Sequence, residues 1–439
     1  MPARSERNLV TSFFHPDIVR GGAQRVAYDL FAALRADGSD AYFLGSVTEE
    51  LAPGLYKSGA WITGFNGRPN EFLLLQRAYD YFWHRSRDAS AIERLSAFLR
   101  KLAPTTVHIH HFFTFGMEVV ALVRSALPDA RIVLTFHEFL AICYADGQMR
   151  KKHSQALCNR ASPWDCHQCF PEIGPEIFFL RERYFKDVLA DVDAFVAPTR
   201  FVKERYVEWG LDGRRITVIS NPDTDRRKAL PMPREAAGGR EGVVTFAFLG
   251  QLVDNKGVDV LIAAAAALHR KGVGGFAVRI HGGNERFASE RMKELIARTR
   301  ADATLAGIVD FRGEYGAEDL ESIMAGIDVV VVPSTWWEIF CLVVTEAWRY
   351  GRPVVCSAVG GLKERVADGV GGLTFRTGDA EALARVMERF IADPTLAPQL
   401  AATIPAVPAM DEVLRQHRAL YAAPEGRVRT KGDADRVAV

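Results

Sequence analysis

Two carboxylates, Glu338 and Glu346, stand with seven residues between them in the stretch VVVVPSTWWEIFCLVVTEAWRYGRPVVCSAVGG, Val329 to Gly361. From about Ile339 the pattern turns helical and stops at Tyr350-Gly351. Were the whole span helical, the carboxylates would lie ~12 Å apart along the axis and roughly 80° apart around it. That is too far for a close acid and base pair. It suits the two ends of a long ligand laid across a helix N-terminus. The backbone N–H groups of Phe340, Cys341, Leu342 and Val343 and the positive end of the helix dipole make a seat for phosphate. A molecule with hydroxyls at both ends and phosphate in the middle is a nucleotide-sugar.

The flanking elements would position this pair. Val329 to Val332 is a β-branched run suited to a strand buried on both faces, and Pro353 to Cys356 reads as a second one. Gly360-Gly361 makes a loop, and a further helix is expected from Lys363. Strand, helix, strand, helix in this order is a parallel βαβ unit. Such sheets bind ligands at the carboxyl ends of their strands, where both the Ser334 to Glu338 loop and the Ala358 to Gly361 loop fall.

Pro333-Ser334, Glu338-x-Phe340-x-Leu342 ending at Glu346, Gly351-x-Pro353-Val354-Val355 and Gly360-Gly361-x-x-Glu364 together resemble the family 4 retaining glycosyltransferases of the GT-B fold. Cys341 departs from the family's usual glycine. The resemblance implies two Rossmann-like domains, a cleft between them and a C-terminal helix crossing back near Asp411 to Tyr421. It implies Glu346 on the ribose, Glu338 on the sugar, and Lys256 with the helix N–H groups on the diphosphate. It also implies a front-face retaining mechanism without a catalytic metal. The Gly250 to Gly257 turn keeps the family lysine as Lys256, but Gln251 stands where the family has arginine, which removes a positive charge from the phosphate site unless another base such as Arg25 compensates. Arg312 to Tyr315 should border the base.

In the N-terminal half, Asn8 to Phe14 reads as a strand, and Gly21-Gly22 opens a helix to about Leu34. Two glycines at such a turn admit phosphate, or serve packing alone. The strand from Arg131 to Phe136 delivers His137, where relatives carry a histidine near the donor sugar. His108, His110 and His111 are expected to pack or face the cleft passively. Glu71 to Lys101 reads as an amphipathic helical region packed on the domain, with contact to an anionic membrane as the sharper alternative. Cys143, Cys158 and Cys166-x-x-Cys169 supply four thiols in one insert, residues 140–172. Three readings are open: a structural zinc, a redox disulfide, or reduced packed thiols. Asp191-x-Asp193 and Asp223-x-Asp225 imitate the D-x-D of metal-dependent transferases, but neither follows a strand end.

The chain of 439 residues suits two α/β domains, and 55 basic against 54 acidic residues give no field favouring nucleic acid. No apolar run is long enough to span a membrane, and the lead MPARSERNLVTSFF reads as a polar entry to a strand rather than a signal peptide. Six cysteines in this length fit a reducing, cytoplasmic compartment, at the inner membrane face if the acceptor is lipid-linked. The expected boundaries are 1–220 for the acceptor-side domain, 221–242 for a linker, 243–405 for the nucleotide-sugar domain, 406–423 for the crossover helix and 424–439 for a disordered tail. The expected activity is sugar transfer from a nucleotide-diphosphate sugar to a glycan or lipid-linked acceptor in cell-surface polysaccharide synthesis. The rivals are a GT-B nucleotide-sugar epimerase and an inactive nucleotide-sugar-binding subunit.

Overall fold

The computed structural model describes residues 6–56, 59–223, 242–283, 285 and 288–422. Most of the expected linker and all of the expected tail lie outside these residues. Two separate sheets organise the chain. The first uses β1 (Arg7–Phe13), β2 (Asp40–Thr48), β3 (Ile62–Gly64), β4 (Glu71–Gln76), β7 (Thr106–Ile109), β8 (Arg131–Thr135), β9 (Ala194–Ala197) and β10 (Ile216–Val218). Their order is β10-β9-β8-β7-β1-β2-β4-β3, and only β3 against β4 is antiparallel. A small hairpin of β5 (Tyr79–Asp80) and β6 (Arg85–Ser86) stands outside it. The second sheet uses β11 (Val244–Leu249), β12 (Phe276–His281), β13 (Val309–Gly313), β14 (Val329–Val332), β15 (Val354–Ser357) and β16 (Gly372–Phe375). Its order is β13-β12-β11-β14-β15-β16, parallel throughout.

The central strands are continuous apolar runs because helices cover both faces. Every residue of β7, β9, β11, β14 and β15 is buried. In both sheets the chain starts in the middle and the order reverses there, which opens a crevice at the carboxyl ends. The C-terminal Met410–Ala422 helix returns to the first sheet, where Val413, Leu414 and Tyr421 pack with Val10, Leu30 and Phe43. The Tyr421 hydroxyl lies 2.7 Å from His108 Nδ1 on β7, 313 residues away in sequence.

The expectation of one helical region over Glu71 to Lys101 is corrected. Leu73, Leu74 and Leu75 belong to β4, whose two edges pair with β2 and β3, so the run is buried on both faces of a strand. Only Ala89–Leu102 is helical, capped by the Asp88 carboxylate on the Ser90 and Ala91 N–H groups. Among the described residues no helix is long and apolar enough to cross a membrane.

Candidate active site

The loop after β14 is held by its neighbours before it touches any ligand. Gly257, at φ 71°, follows Lys256, and a Cβ there would fall 1.9 Å from the Pro333 carbonyl oxygen. Only glycine lets the two loops meet this closely. Thr335 N–H donates to Asn255 O at 2.9 Å across the same junction. The result is a contact that spacing alone does not foretell: Lys256 Nζ lies 2.7 Å from Glu338 Oε1, which also accepts from Ser334 Oγ at 2.7 Å. Glu338 is 4% exposed. Burial pushes its carboxyl up, but the Lys256 charge and these hydrogen bonds outweigh burial and hold it below the usual range. Burial likewise pulls Lys256 down, and the Glu338 charge more than restores it. Both groups are ionised.

Beyond Glu338 the helix starts later than the sequence suggests. Cys341 sits at φ 65° and ψ 92°, outside the helical region, and the helix runs Leu342–Arg349. Its first N–H groups, on Leu342 and Val343, carry no side-chain cap. Facing it is the Gly22–Ala36 helix, whose N-cap is Gly21 and which also lacks a side-chain cap. A Cβ on Gly22 would stand 3.3 Å from Leu342 Cδ1, so the two helix starts approach one another across the interdomain crevice. Neither first turn carries an acidic side chain. Two open helix N-termini at one place favour an anion between them.

The Phe340 and Cys341 carbonyls are turned away from that seat. Arg365 Nη1 donates to them at 3.0 and 2.7 Å, while its Nη2 donates to Thr345 Oγ1 at 2.8 Å. The guanidinium stacks on Phe340 at 3.7 Å from the ring centre, and burial lowers its pKa to about 10. Arg365 thereby fixes the turn that aims the helix start. Gly360-Gly361 begins the Gly360–Arg365 helix rather than preceding one, and it serves packing behind the loop. Gly361 N–H donates to Glu338 O at 2.7 Å, and Cβ atoms at Gly360 and Gly361 would fall 2.6 and 2.2 Å from the Glu338 and Ile339 oxygens.

The other candidates fall around this core. Glu346 lies on the same helix, and after burial its charge is a cause that holds the Tyr315 phenol well above its ordinary value. Tyr315 therefore stands beside the far carboxylate. Gln251 is exposed on the turn after β11. Arg312, half exposed, pairs with Asp310 at 2.6 Å, and Arg25 pairs with Asp29 at 2.6 Å. His137 Nε2 lies 3.0 Å from His110 Nδ1, with the two rings stacked. Burial pushes His137 down to about 3, so it is neutral at physiological pH. His110 is buried, and among the described residues its Nε2 has no hydrogen-bond partner.

The two domains are clasped above the site. Thr199 Oγ1 donates to Ile339 O at 3.0 Å, and the Arg200 and Phe201 N–H groups donate to the Glu364 carboxylate at 3.0 and 2.9 Å. Trp337 Nε1 donates to Cys158 O at 3.1 Å, which ties the cysteine insert to the donor loop. Cys143, Cys158, Cys166 and Cys169 are free thiols, and burial pushes Cys143 up to about 11 and Cys166 up to about 12. Among the described residues no group of three or more His, Cys, Asp or Glu side chains could hold a metal ion. Asp193 accepts from Arg124 and from Ile132 N–H, a structural role.

Ser334 and Arg365 were missed as site residues by sequence reasoning, whereas Tyr315, read as bordering the base, stands beside Glu346. For Arg365 the one available signal is a basic residue directly after the Gly-Gly-x-x-Glu motif.

Fold and site together define a GT-B glycosyltransferase architecture. Residues 20–226 match the family model described as Glycosyltransferase Family 4, and residues 244–393 match the one described as Glycosyl transferases group 1. The chain belongs to the family 4 glycosyltransferases. It is similar to the D-inositol 3-phosphate glycosyltransferase of Nocardia farcinica, with 35% identity over 202 residues, 45% of this chain and 44% of that protein. The corresponding protein of Salinispora arenicola is 33% identical over 232 residues, 49% of this chain and 51% of that protein. The chain thus spans about half the length of the curated relatives it matches. Among solved structures, Anabaena HepE in complex with UDP superposes with a TM-score of 0.64 at 15% identity, covering 94% of this chain and 99% of that one. Sucrose-phosphate synthase of Thermosynechococcus elongatus gives 0.66 at 20% identity, covering 95% and 98%.

Proposed function

We propose that this protein transfers a sugar from a nucleotide-diphosphate sugar to a hydroxyl of a glycan or lipid-linked acceptor, with retention at the anomeric carbon. The observation that carries this is the pairing of two uncapped helix N-termini, Gly22 against Leu342, beside the buried Lys256–Glu338 pair. The diphosphate lies between the helix starts, the ribose hydroxyls reach Glu346, and the sugar reaches Glu338. The relative bound to UDP in the same fold supports a nucleotide donor. Retention is what the family resemblance implies. A hydrolase-like double displacement would need two carboxyl groups about 5 Å apart, whereas Glu338 and Glu346 have seven residues and a helix start between them. The route proposed is therefore front-face, with the leaving phosphate helping to deprotonate the acceptor. Departure of the diphosphate builds negative charge, which the helix dipoles and Lys256 stabilise. Neutral His137 offers a hydrogen bond to sugar or acceptor rather than a charge.

The test is a panel of UDP-, GDP- and ADP-sugars with and without glycan acceptors. Acceptor-dependent release of nucleoside diphosphate, with an axial linkage formed from an axial donor, is the expected result. Conversion of the donor without acceptor would establish an epimerase instead. Binding without turnover under any acceptor would leave a sugar-nucleotide-binding subunit.

A further inference from the structure

The amino ends of β11, β14 and β15, at the opposite edge of the second sheet from the site, border a cavity of about 530 Å³. That volume is ordinary for a small-molecule site, yet ligands of parallel sheets sit at the other edge. Its wall includes Trp348, Pro353, Phe390, Pro394, Ala397 and Ile404. Arg352 also lines it, although the residue is only 7% exposed. Its Nε donates to Met324 O at 3.0 Å, while among the described residues the buried Nη2 has no hydrogen-bond partner. Burial pulls the guanidinium below its ordinary value, and the Asp328 carboxylate nearby offsets only part of this. Asp328 Oδ2 already accepts the Thr245 N–H at 2.8 Å.

A buried guanidinium nitrogen without an acceptor is costly even where, as here, Nε has a carbonyl partner and a carboxylate lies nearby. An anionic oxygen against the part of Arg352 that lines the cavity would compensate the buried charge, and the aromatic and proline walls would cover an apolar body attached to it. Pockets of this kind, mostly apolar with one polar anchor, orient a ligand by that anchor.

We propose that this cavity binds a small amphipathic anion, its carboxylate, sulfonate or phosphate head on Arg352 and its apolar body against Trp348 and Phe390. The site is separate from the sugar-nucleotide site, and its ligand does not depend on the donor reading.

The experiment compares two probes with one body. 8-Anilinonaphthalene-1-sulfonate carries the anionic head, and N-phenyl-1-naphthylamine is its neutral counterpart. Binding to the full chain is measured by fluorescence titration. Arg352→Met should weaken the sulfonate about tenfold or more, the scale of one charged hydrogen bond, and leave the neutral probe unchanged. Arg352→Lys keeps a charge and should retain most of the sulfonate affinity. Ala402→Trp, placed on the exposed rim of the cavity, should abolish binding of both probes. Equal sulfonate affinity in wild type and Arg352→Met, or sulfonate binding that survives Ala402→Trp, overturns the proposal.

Discussion

At the residue scale, the pairing of Lys256 with Glu338 changes what each can do. Lys256 is not a free cation waiting for phosphate; a donor must share it with a buried carboxylate. The sequence names both residues, but their contact spans 82 positions and depends on Gly257 meeting Pro333, which no local pattern announces. A single Lys256→Ala substitution therefore has two effects. Under the proposed function it removes a stabiliser of the leaving diphosphate, and it strands Glu338 as an uncompensated charge. The expected outcome is a rate lower by about 10², together with a stability loss of about 3 kcal/mol. Adding Glu338→Gln to Lys256→Ala should restore the denaturation midpoint but not the rate. If the double variant regains wild-type turnover, Lys256 has no role beyond neutralising its partner. If the single variant keeps full stability, the pair is not buried as described.

At the element scale, the helix start is the working part, and its geometry was only partly legible. The motif residues from Pro333 to Gly361 locate it, and the strands around it were read correctly because a short β-branched run between turn residues has few alternatives. The run at Leu73 to Leu75 misled because a short apolar run buried on both faces of a strand cannot be told from a buried helix segment when read alone. The entry of the helix was misjudged because Cys341 adopts a left-handed φ that its side chain does not advertise. Two glycine exchanges separate the roles of these turns. Cys341→Gly relieves a non-glycine residue at φ 65° and should raise stability by about 0.5–1 kcal/mol, with turnover retained. Gly360→Ala puts a Cβ 2.6 Å from the Glu338 oxygen at φ 53° and should cost at least about 1 kcal/mol. Thermal or urea unfolding of both variants is the check. Opposite signs are expected, and a stabilised Gly360→Ala would mean that the Glu338 backbone does not lie against it.

At the scale of the whole molecule, the two domains are joined by the crossover helix, and that joint is built on histidines. His108 contacts Tyr421, its ring stands 5.4 Å from that of His417, and it is followed inward by His110 and His137. Burial is the first cause that lowers every one of them, His417 to about 4, and their mutual repulsion adds to it for His108, His110 and His137. The folded protein therefore holds them neutral, whereas the unfolded chain protonates each near pH 6.5. A base whose folded pKa lies below its unfolded value adds no pH dependence above pH 6.5. It costs stability progressively as pH falls from 6.5 toward the folded value, because only the unfolded state takes up the proton. His417 alone should cost about 2 kcal/mol by pH 5. Glu338, held below the usual carboxylate range, loses its contribution only at more acidic pH. Glu118 and Glu138, each pushed up to about 7 by burial, take up protons in the folded state across this window and add stability as pH falls, so the histidine effect is read as a difference between variants. Urea unfolding at pH 7 and at pH 5 should show the stability of His417→Leu, which cannot take up that proton, changing by about 2 kcal/mol in the favourable direction relative to the wild type. A His417→Leu protein whose stability changes between these pH values just as the wild type's does would show that the joint is already hydrated and that His417 titrates as it does in water.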